Sequence, residues 1–263
     1  MADITLHTDP IQVRRILLLG KVGAGKSATG NAIIGNEVFE SRKSFRPVTE
    51  ECDFKNIIRN GKQYVVCDTP GAMGLQQDKK RFLKNLKRCL FVTSPGFHAI
   101  IFVISADQRL QDSDMEMFRE FWELLKEDAS NYAIIVFTHA EPDQLQSMID
   151  ESREMKNLCN QCNNRYLSFG NNRNVDRALV VNFEELLENV ISGNRRTPFY
   201  EHPLYEKAYR IILKDAKDLQ KSMPHLNHNA SIERATNEAF KGQSPRDASL
   251  LTLNERLSCC VIL

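Results

Sequence analysis

The stretch GKVGAGKS at residues 20–27 decides the fold of this chain. It follows an apolar segment at 15–19 and leads into a helical pattern at 26–34. It fits the pattern G-x-x-x-x-G-K-[ST] completely, in the strand-to-helix setting that the pattern requires. Such a turn binds phosphate, because its glycines let successive N–H groups point at the anion and the helix N-terminus adds its positive end. We therefore predict an α/β fold with a nucleotide-phosphate loop.

Each residue of this loop has an expected role. Lys26 should neutralise charge on the β- and γ-phosphates, which makes it a catalytic as well as a binding residue, and the Ser27 hydroxyl should ligate Mg²⁺. The remaining contacts to the nucleotide should come from Gly20, Lys21, Val22, Gly23, Ala24, Gly25 and Ala28. The alternative is a glycine-rich turn that binds nothing. The pattern does not say which base the nucleotide carries.

Apolar segments alternate with helical periodicity along residues 13–194, which is typical of βαβ units and a mostly parallel sheet flanked by helices. Strands are predicted at 15–19, 52–59, 64–67, 99–105, 132–137 and 165–169. Because Asn60-Gly61 favours a two-residue hairpin, the second and third strands should pair antiparallel. Helices are predicted at 26–34, 79–90, 112–125, 144–158 and 175–190.

Composition changes beyond this region, and we expect three parts: a nucleotide-binding α/β domain at 13–194, a helical extension at 198–241 and a flexible tail at 242–263. Apolar residues recur at helical spacing from 204 to 219, ahead of Pro224, and this stripe could pack on the main domain. From 227 onward the chain is polar and should form a tether, with one short helix at 232–240.

The segment Asp68-Thr69-Pro70-Gly71 is the second part of the expected site. It follows the apolar strand at 64–67, so Asp68 should lie at the carboxyl end of a strand beside the phosphate loop. Asp68 would hold Mg²⁺ through water, and the Gly71 N–H would meet the γ-phosphate. The alternative is that Asp68 caps the next helix.

A hydroxyl between residues 37 and 50 should also reach Mg²⁺ when the γ-phosphate is present. Thr49 is our choice for this metal-sensing and catalytic role. Ser41 and Ser44 are alternatives, and so is a merely solvated threonine.

These motifs resemble the GIMAP family of immunity-associated, septin-related P-loop GTPases. The resemblance covers about residues 13–192 and rests on GKVGAGKSATGN at 20–31, IIG at 33–35, VTEEC at 48–52, DTPG at 68–71, SPGFHA at 94–99, FTH at 137–139, and NRY at 164–166 with Phe169. It implies a GTPase domain with an α-helical extension and a dimer that depends on the bound nucleotide, and it supports Thr49 as the metal-sensing hydroxyl.

The resemblance also points to guanine, with departures from the family pattern. Where such domains carry a Thr-x-x-Asp box, this chain has THAE at 138–141. A carboxylate that accepts both N1–H and N2–H of guanine rejects adenine, and Asp143 is the alternative to Glu141 for this role. The expected base-side residues are Thr138, His139 and Glu141, with Asn171 or Asn172. GTP or GDP with Mg²⁺ is therefore the expected ligand.

Hydrolysis should be slow in this chain. Small GTPases place a glutamine directly after D-x-x-G to orient the attacking water, and here that residue is Ala72. A group supplied by a second protomer would add roughly 10³–10⁵ in rate. Arg109 and His98 are the candidates, against a solvated arginine and a packed strand-edge histidine. The expected partner is a second copy of the chain or a related family member. Two alternative functions remain: a non-hydrolysing, GTP-regulated membrane scaffold and an ATP-dependent enzyme.

Charge and targeting signals narrow the partners further. The chain carries 35 Lys+Arg and 34 Asp+Glu, so no strong field attracts nucleic acid. It shows neither a signal-peptide pattern nor a long apolar run, so we expect a cytosolic protein with reduced thiols.

The last four residues, CVIL at 260–263, form a C-a-a-X box. We expect geranylgeranylation of Cys260, with palmitoylation of Cys259 as the second signal that stable binding requires. This would attach the chain to the cytosolic face of a membrane. The alternative is a buried apolar strand.

Overall fold

The computed structural model describes residues 12–41, 52–71, 88–108, 112–125, 127–170, 177–194, 197–201, 203–241 and 243–244. Its strands form one six-stranded sheet in the order β2-β3-β1-β4-β5-β6. Their bounds are β1 Val13–Gly20, β2 Asp53–Arg59, β3 Lys62–Asp68, β4 Ala99–Ser105, β5 Ala133–Thr138 and β6 Tyr166–Ser168.

The sheet confirms the predicted α/β fold. Among the described strands, only β2 and β3 pair antiparallel, and the other neighbours pair parallel. Asn60 and Gly61, with φ of 50° and 73°, form the connecting turn that the sequence predicts. The central strands β1, β4 and β5 are almost wholly buried, as expected of a sheet covered on both faces.

The helices are α1 Lys26–Ile34, α2 Asp112–Leu125, α3 Leu145–Asp150, α4 Arg153–Gln161, α5 Arg177–Gly193, α6 Pro203–Ser222 and α7 His228–Phe240, with a 3₁₀ helix at Glu127–Tyr132. The single helix predicted at 144–158 is wrong. Ser152 has an extended backbone and its Oγ accepts the Met155 N–H at 3.1 Å, so it starts a new helix instead of continuing the old one.

The C-terminal helices pack on the sheet domain. On α6, Tyr205 is buried and its hydroxyl lies 3.0 Å from Thr93 Oγ1. The short helix predicted at 232–240 lies within α7, which packs on the sheet instead of standing in a polar tether: Phe240 lies edge-on against Phe54 of β2 with ring centroids 4.7 Å apart. Beyond α7, the buried Ser244 hydroxyl donates a hydrogen bond to Asp215 on α6. None of the described helices is both long and apolar enough to cross a bilayer.

Candidate nucleotide-binding site

The phosphate loop lies where the strand order reverses. From β1, one parallel neighbour is β3 and the other is β4, and Gly20 at the end of β1 is level with Val103. Asp68 ends β3 beside Leu18 of β1. In doubly wound sheets this crevice outside the carboxyl ends of the strands is where ligands bind. The motifs at 20–27 and 68–71 therefore meet at one edge of the sheet.

Two glycines of the loop are required by geometry. At Gly20, with φ of 149°, a Cβ would lie 2.3 Å from the Val103 carbonyl oxygen. At Gly25, which precedes α1 with φ of 93°, a Cβ would lie 3.0 Å from Thr138 Cγ2. Only glycine combines this left-handed backbone with such close neighbours. The loop thus packs against β4 and β5 and opens directly into the N-terminus of α1.

Lys26 is buried, although it carries the charge expected to meet phosphate. Its Nζ donates to the Lys21 carbonyl oxygen at 2.9 Å, and only 6% of the residue is exposed. Burial lowers the pKa of Lys26 to about 8, and the nearby Asp68 carboxylate opposes that shift. A phosphate anion would supply the opposite charge that stabilises the ammonium form.

Ser27 and Asp68 form the candidate magnesium site. Ser27 Oγ donates to Asp68 Oδ2 at 2.6 Å, and Asp68 is 1% exposed. The hydroxyl of Thr69 donates to the Leu18 carbonyl oxygen at 2.7 Å, which fixes the end of β3 beside β1. A hydroxyl and a carboxylate are the hard oxygen donors that Mg²⁺ prefers, so the donor set fits that ion.

Gly71 lies directly against the phosphate loop. A Cβ at this position would be 2.3 Å from the backbone nitrogen of Val22 and 2.4 Å from its Cγ2. The D-x-x-G segment therefore reaches the loop through backbone that tolerates no side chain. Gly71 thus lies beside the phosphate loop, and its contact with the γ-phosphate stays a prediction.

The loops after β4, β5 and β6 come together at the predicted base side. Thr138 Oγ1 donates to the Ala24 carbonyl oxygen at 2.8 Å, which ties β5 to the phosphate loop. The N–H of His139, which has a positive φ of 60°, donates to the Gly170 carbonyl oxygen at 2.9 Å. Glu141 and Asp143 are both exposed at the start of the turn that leads into α3. Either carboxylate is therefore accessible to a base.

Two residues after β4 also belong to this region, and the sequence reasoning missed them. Asp107 Oδ2 lies 3.5 Å from His139 Nδ1, and Gln108 Nε2 would lie 3.7 Å from a Cβ on Gly23. Their position in the sequence could have identified them, because polar residues that directly follow an apolar parallel strand lie at the ligand-binding edge of the sheet.

His98 lies at the amino end of β4, away from the carboxyl ends of the strands where the phosphate loop lies. It precedes β4, and its N–H donates to the Arg15 carbonyl oxygen while its Nδ1 accepts the Arg15 N–H at 3.0 Å. Gly20 is five residues further along β1, or roughly 16 Å. Burial, together with the charges of Arg15 and Arg14, lowers the pKa of His98 to about 2. This burial favours the packed strand-edge histidine over a group that acts in trans, and the catalytic role of His98 stays a prediction.

Several other predicted residues lie outside the described residues: Thr49, Arg109, Asn171, Asn172, Cys259 and Cys260. The alternative hydroxyl at Ser44 lies outside them as well, whereas Ser41 is described and exposed. The roles of this group stay predictions.

The AIG1 family model matches residues 14–220 of this chain. The chain belongs to the AIG1 family. It is 34% identical to human GTPase IMAP family member 8 over 68% of this chain and 27% of that protein. It is 27% identical to immune-associated nucleotide-binding protein 13 of Arabidopsis thaliana over 87% of this chain and 73% of that protein. The resemblance to GIMAP proteins predicted from the motifs is confirmed, although this AIG1 chain spans only about a quarter of its human relative.

The fold is shared with solved GTPase structures. Toc33 from Arabidopsis thaliana in complex with GDP and Mg²⁺ superposes with a TM-score of 0.54 at 19% identity, covering 71% of this chain and 87% of that one. A structure of the chloroplast translocon components atToc33 and psToc159, in which dimerization is important for the GTPase activity, superposes with a TM-score of 0.55 at 20% identity. It covers 72% of this chain and 86% of that one.

Proposed function

We propose that this AIG1-family chain binds GTP and GDP with Mg²⁺ and hydrolyses GTP slowly, at a rate that depends on dimerisation, on the cytosolic face of a membrane. The observation that carries the proposal is the convergence of Lys26, Ser27, Asp68 and Gly71 at the end of β1 and β3. Their contacts measure 2.6 Å between Ser27 Oγ and Asp68 Oδ2 and 2.9 Å between Lys26 Nζ and the Lys21 carbonyl oxygen. Family membership supports the nucleotide class.

The chain's own groups supply binding and charge. The N–H groups of the loop and the N-terminus of α1 hold the phosphates, and Lys26 stabilises the charge that develops on the phosphoryl oxygens. Ser27 and Asp68 would hold Mg²⁺, which supplies further charge stabilisation when bound. No step requires a covalent intermediate with the protein. Catalysis at this site is therefore mainly positioning and electrostatics.

The first experiment tests the phosphate loop by titrating GTP into Lys26→Ala and into Lys21→Ala. Lys21 belongs to the same loop but contacts Lys26 through its backbone carbonyl, which alanine keeps, so Lys21→Ala is the matched control for the Lys26 side chain. We expect Lys26→Ala to lose at least a hundredfold in affinity and Lys21→Ala to change little. Unchanged binding by Lys26→Ala, with thermal unfolding like that of the parent, would refute the site.

Guanine selectivity rests on Glu141, with Asp143 as the alternative carboxylate. Titration of GTP and ATP into Glu141→Ala and Asp143→Ala assigns the role, since the responsible variant should lose its preference for GTP. Equal affinity of the unaltered chain for ATP and GTP would favour the ATP-dependent alternative and contradict the proposal.

Dimerisation is proposed because Ala72 stands where a water-orienting glutamine is common, and because dimerization is important for the activity of the chloroplast relatives. Arg109 is the candidate group from a second protomer. Single-turnover hydrolysis should accelerate with protein concentration, and Arg109→Ala should remove that acceleration. A rate independent of concentration and close to zero would favour the non-hydrolysing scaffold.

Membrane attachment is proposed from the CVIL motif at 260–263. In a chain that ends at Leu263, Cys260 would carry a geranylgeranyl group and Cys259 a palmitoyl group. Intact-mass analysis and fractionation of cells expressing the unaltered chain and Cys260→Ser test this. An unmodified chain that is as soluble as the variant would remove the anchor.

A further inference from the structure

Three buried thiols lie together beside the nucleotide site. Cys52 directly precedes β2, Cys67 precedes Asp68 on β3, and Cys89 belongs to the helical residues 88–92. The Cys89 Sγ lies 2.8 Å from the Cys67 Sγ and 3.0 Å from the Cys52 Sγ. All three are reduced, and nucleotide binding as described above uses none of them. Such a cluster on three separate segments needs its own explanation.

The three thiols differ in character. Cys67 and Cys89 are fully buried, whereas 6% of Cys52 is exposed. Burial raises the pKa of Cys52, but hydrogen bonds from Cys67 and Cys89 and the charge of Arg88 outweigh it and lower that pKa to about 5. Burial raises the pKa of both Cys67 and Cys89. Since the thiolate is the nucleophile, Cys52 is the thiol that reacts first.

We propose that Cys52 and Cys89 form a reversible disulfide when the chain meets hydrogen peroxide. The Cys52 thiolate attacks one peroxide oxygen, the O–O bond breaks, and the departing hydroxide takes up a proton, which leaves a sulfenic acid. The Cys89 sulfur then loses its proton and attacks the Cys52 sulfur, and the S–O bond breaks to release a second water. Two thiols are oxidised and one peroxide is reduced to two waters.

The sulfur positions favour a disulfide over a bound metal. A disulfide bond measures about 2.05 Å, so the sulfurs of Cys52 and Cys89, now 3.0 Å apart, need to close by about 1 Å. Three thiolates around one ion at about 2.3 Å from each sulfur would hold their sulfurs about 4 Å apart, so here they would have to separate. In the described part of the chain, no imidazole or carboxylate joins the group as a fourth ligand.

The bond would form beside the candidate magnesium site. Cys52 directly precedes Asp53, which pairs with Asp68 across β2 and β3. The bond would therefore restrain the end of β2 that lies opposite Asp68. If the proposed function holds, the disulfide should slow the release of bound nucleotide.

Trypsin separates the three thiols, so the test can be read directly from peptides. By sequence, Cys52 falls in peptide 44–55, Cys67 in 63–79 and Cys89 in 89–109, while Cys159 and Cys162 share 157–165. The full chain is treated with hydrogen peroxide, blocked with N-ethylmaleimide, digested without reductant and analysed by mass spectrometry. We expect peptides 44–55 and 89–109 to be cross-linked, and dithiothreitol to separate them.

Variants at the cluster and a control away from it sharpen the result. Replacing both Cys67 and Cys89 with alanine should leave Cys52 as a sulfenic acid that dimedone traps, and Cys162→Ser should leave the cross-link intact. Circular dichroism verifies folding, and a variant with serine at both positions replaces the alanine variant if that one unfolds. Absence of the cross-link in the folded parent chain at any peroxide concentration overturns the proposal. So does purification of the chain with one thiophilic metal ion per molecule that protects all three thiols until it is chelated.

A second measurement tests the link to the nucleotide site. Release of a fluorescent GDP analogue should be at least threefold slower from the oxidised chain, and dithiothreitol should restore it. Equal release from both forms overturns that link, and absence of analogue binding by the reduced chain counts against the proposed function instead. The mass-spectrometric test of the disulfide does not depend on either of these results.

Discussion

Replacing Gly71 with alanine is the sharpest test of how the D-x-x-G segment meets the phosphate loop. The new Cβ would lie 2.3 Å from the Val22 backbone nitrogen and 2.4 Å from its Cγ2. Ordinary contact begins near 3.4 Å, so either the segment or the loop must move by about 1 Å. The backbone nitrogen cannot rotate away, so the loop cannot keep its shape while residue 71 stays in place.

The magnitude follows from the overlap. Overpacking of this kind costs about 1–3 kcal/mol, which corresponds to about 5–150-fold in a binding constant when the cost falls on the bound state. We expect the loss to be larger for a non-hydrolysable GTP analogue than for GDP, because Gly71 is predicted to meet the γ-phosphate. Titration calorimetry of both ligands measures the difference.

Gly193→Ala is the matched control. It makes the same chemical change at the end of α5, where a Cβ would meet nothing within 4 Å. This variant should bind both ligands like the parent chain. Analogue affinity of Gly71→Ala within twofold of the parent, or an equal loss for analogue and GDP, would show that Gly71 does not meet the γ-phosphate as argued.

Lys26, Thr138 and His98 can each be tested by a further measurement. Because the pKa of Lys26 is lowered to about 8 and a bound phosphate would raise it, GDP binding above pH 8 should take up a proton and weaken by up to tenfold per pH unit. Calorimetry in two buffers of different ionisation enthalpy measures the proton uptake. Binding that does not depend on pH from pH 7 to 10 would contradict this prediction. Thr138→Val removes the donor to the Ala24 carbonyl and should weaken nucleotide binding by about fivefold, which corresponds to about 1 kcal/mol. Thr138→Ser keeps the hydroxyl and should bind nucleotide normally. Equal affinities of the two variants would count against a role for this hydrogen bond. His98→Ala should lower the unfolding temperature, because the Arg15 N–H loses its acceptor. We expect the same variant to keep the turnover per folded molecule unchanged at every protein concentration. A loss of rate only at high protein concentration would instead support His98 as a group that acts in trans.

The sequence by itself determined the parts of the fold that local chemistry specifies. The motif at 20–27 predicts a strand before it and a helix after it, and β1 and α1 flank it as predicted. The Asn60-Gly61 turn fixed the antiparallel pairing of β2 and β3, because few other dipeptides adopt positive φ at both positions. Family membership could also be recognised from the spacing of these motifs.

Tertiary structure alone decided which distant residues meet. His98 looked like a candidate because it lies in the segment SPGFHA at 94–99, which resembles GIMAP proteins, but the register of β4 against β1 places it at the end of the strands opposite the phosphate loop. Asp107 and Gln108 carry no motif and join the site only because β4 ends beside β1 and β5. The contact between Cys52, Cys67 and Cys89 has the same origin, since the antiparallel strands β2 and β3 and a helical segment bring together residues that no local pattern connects.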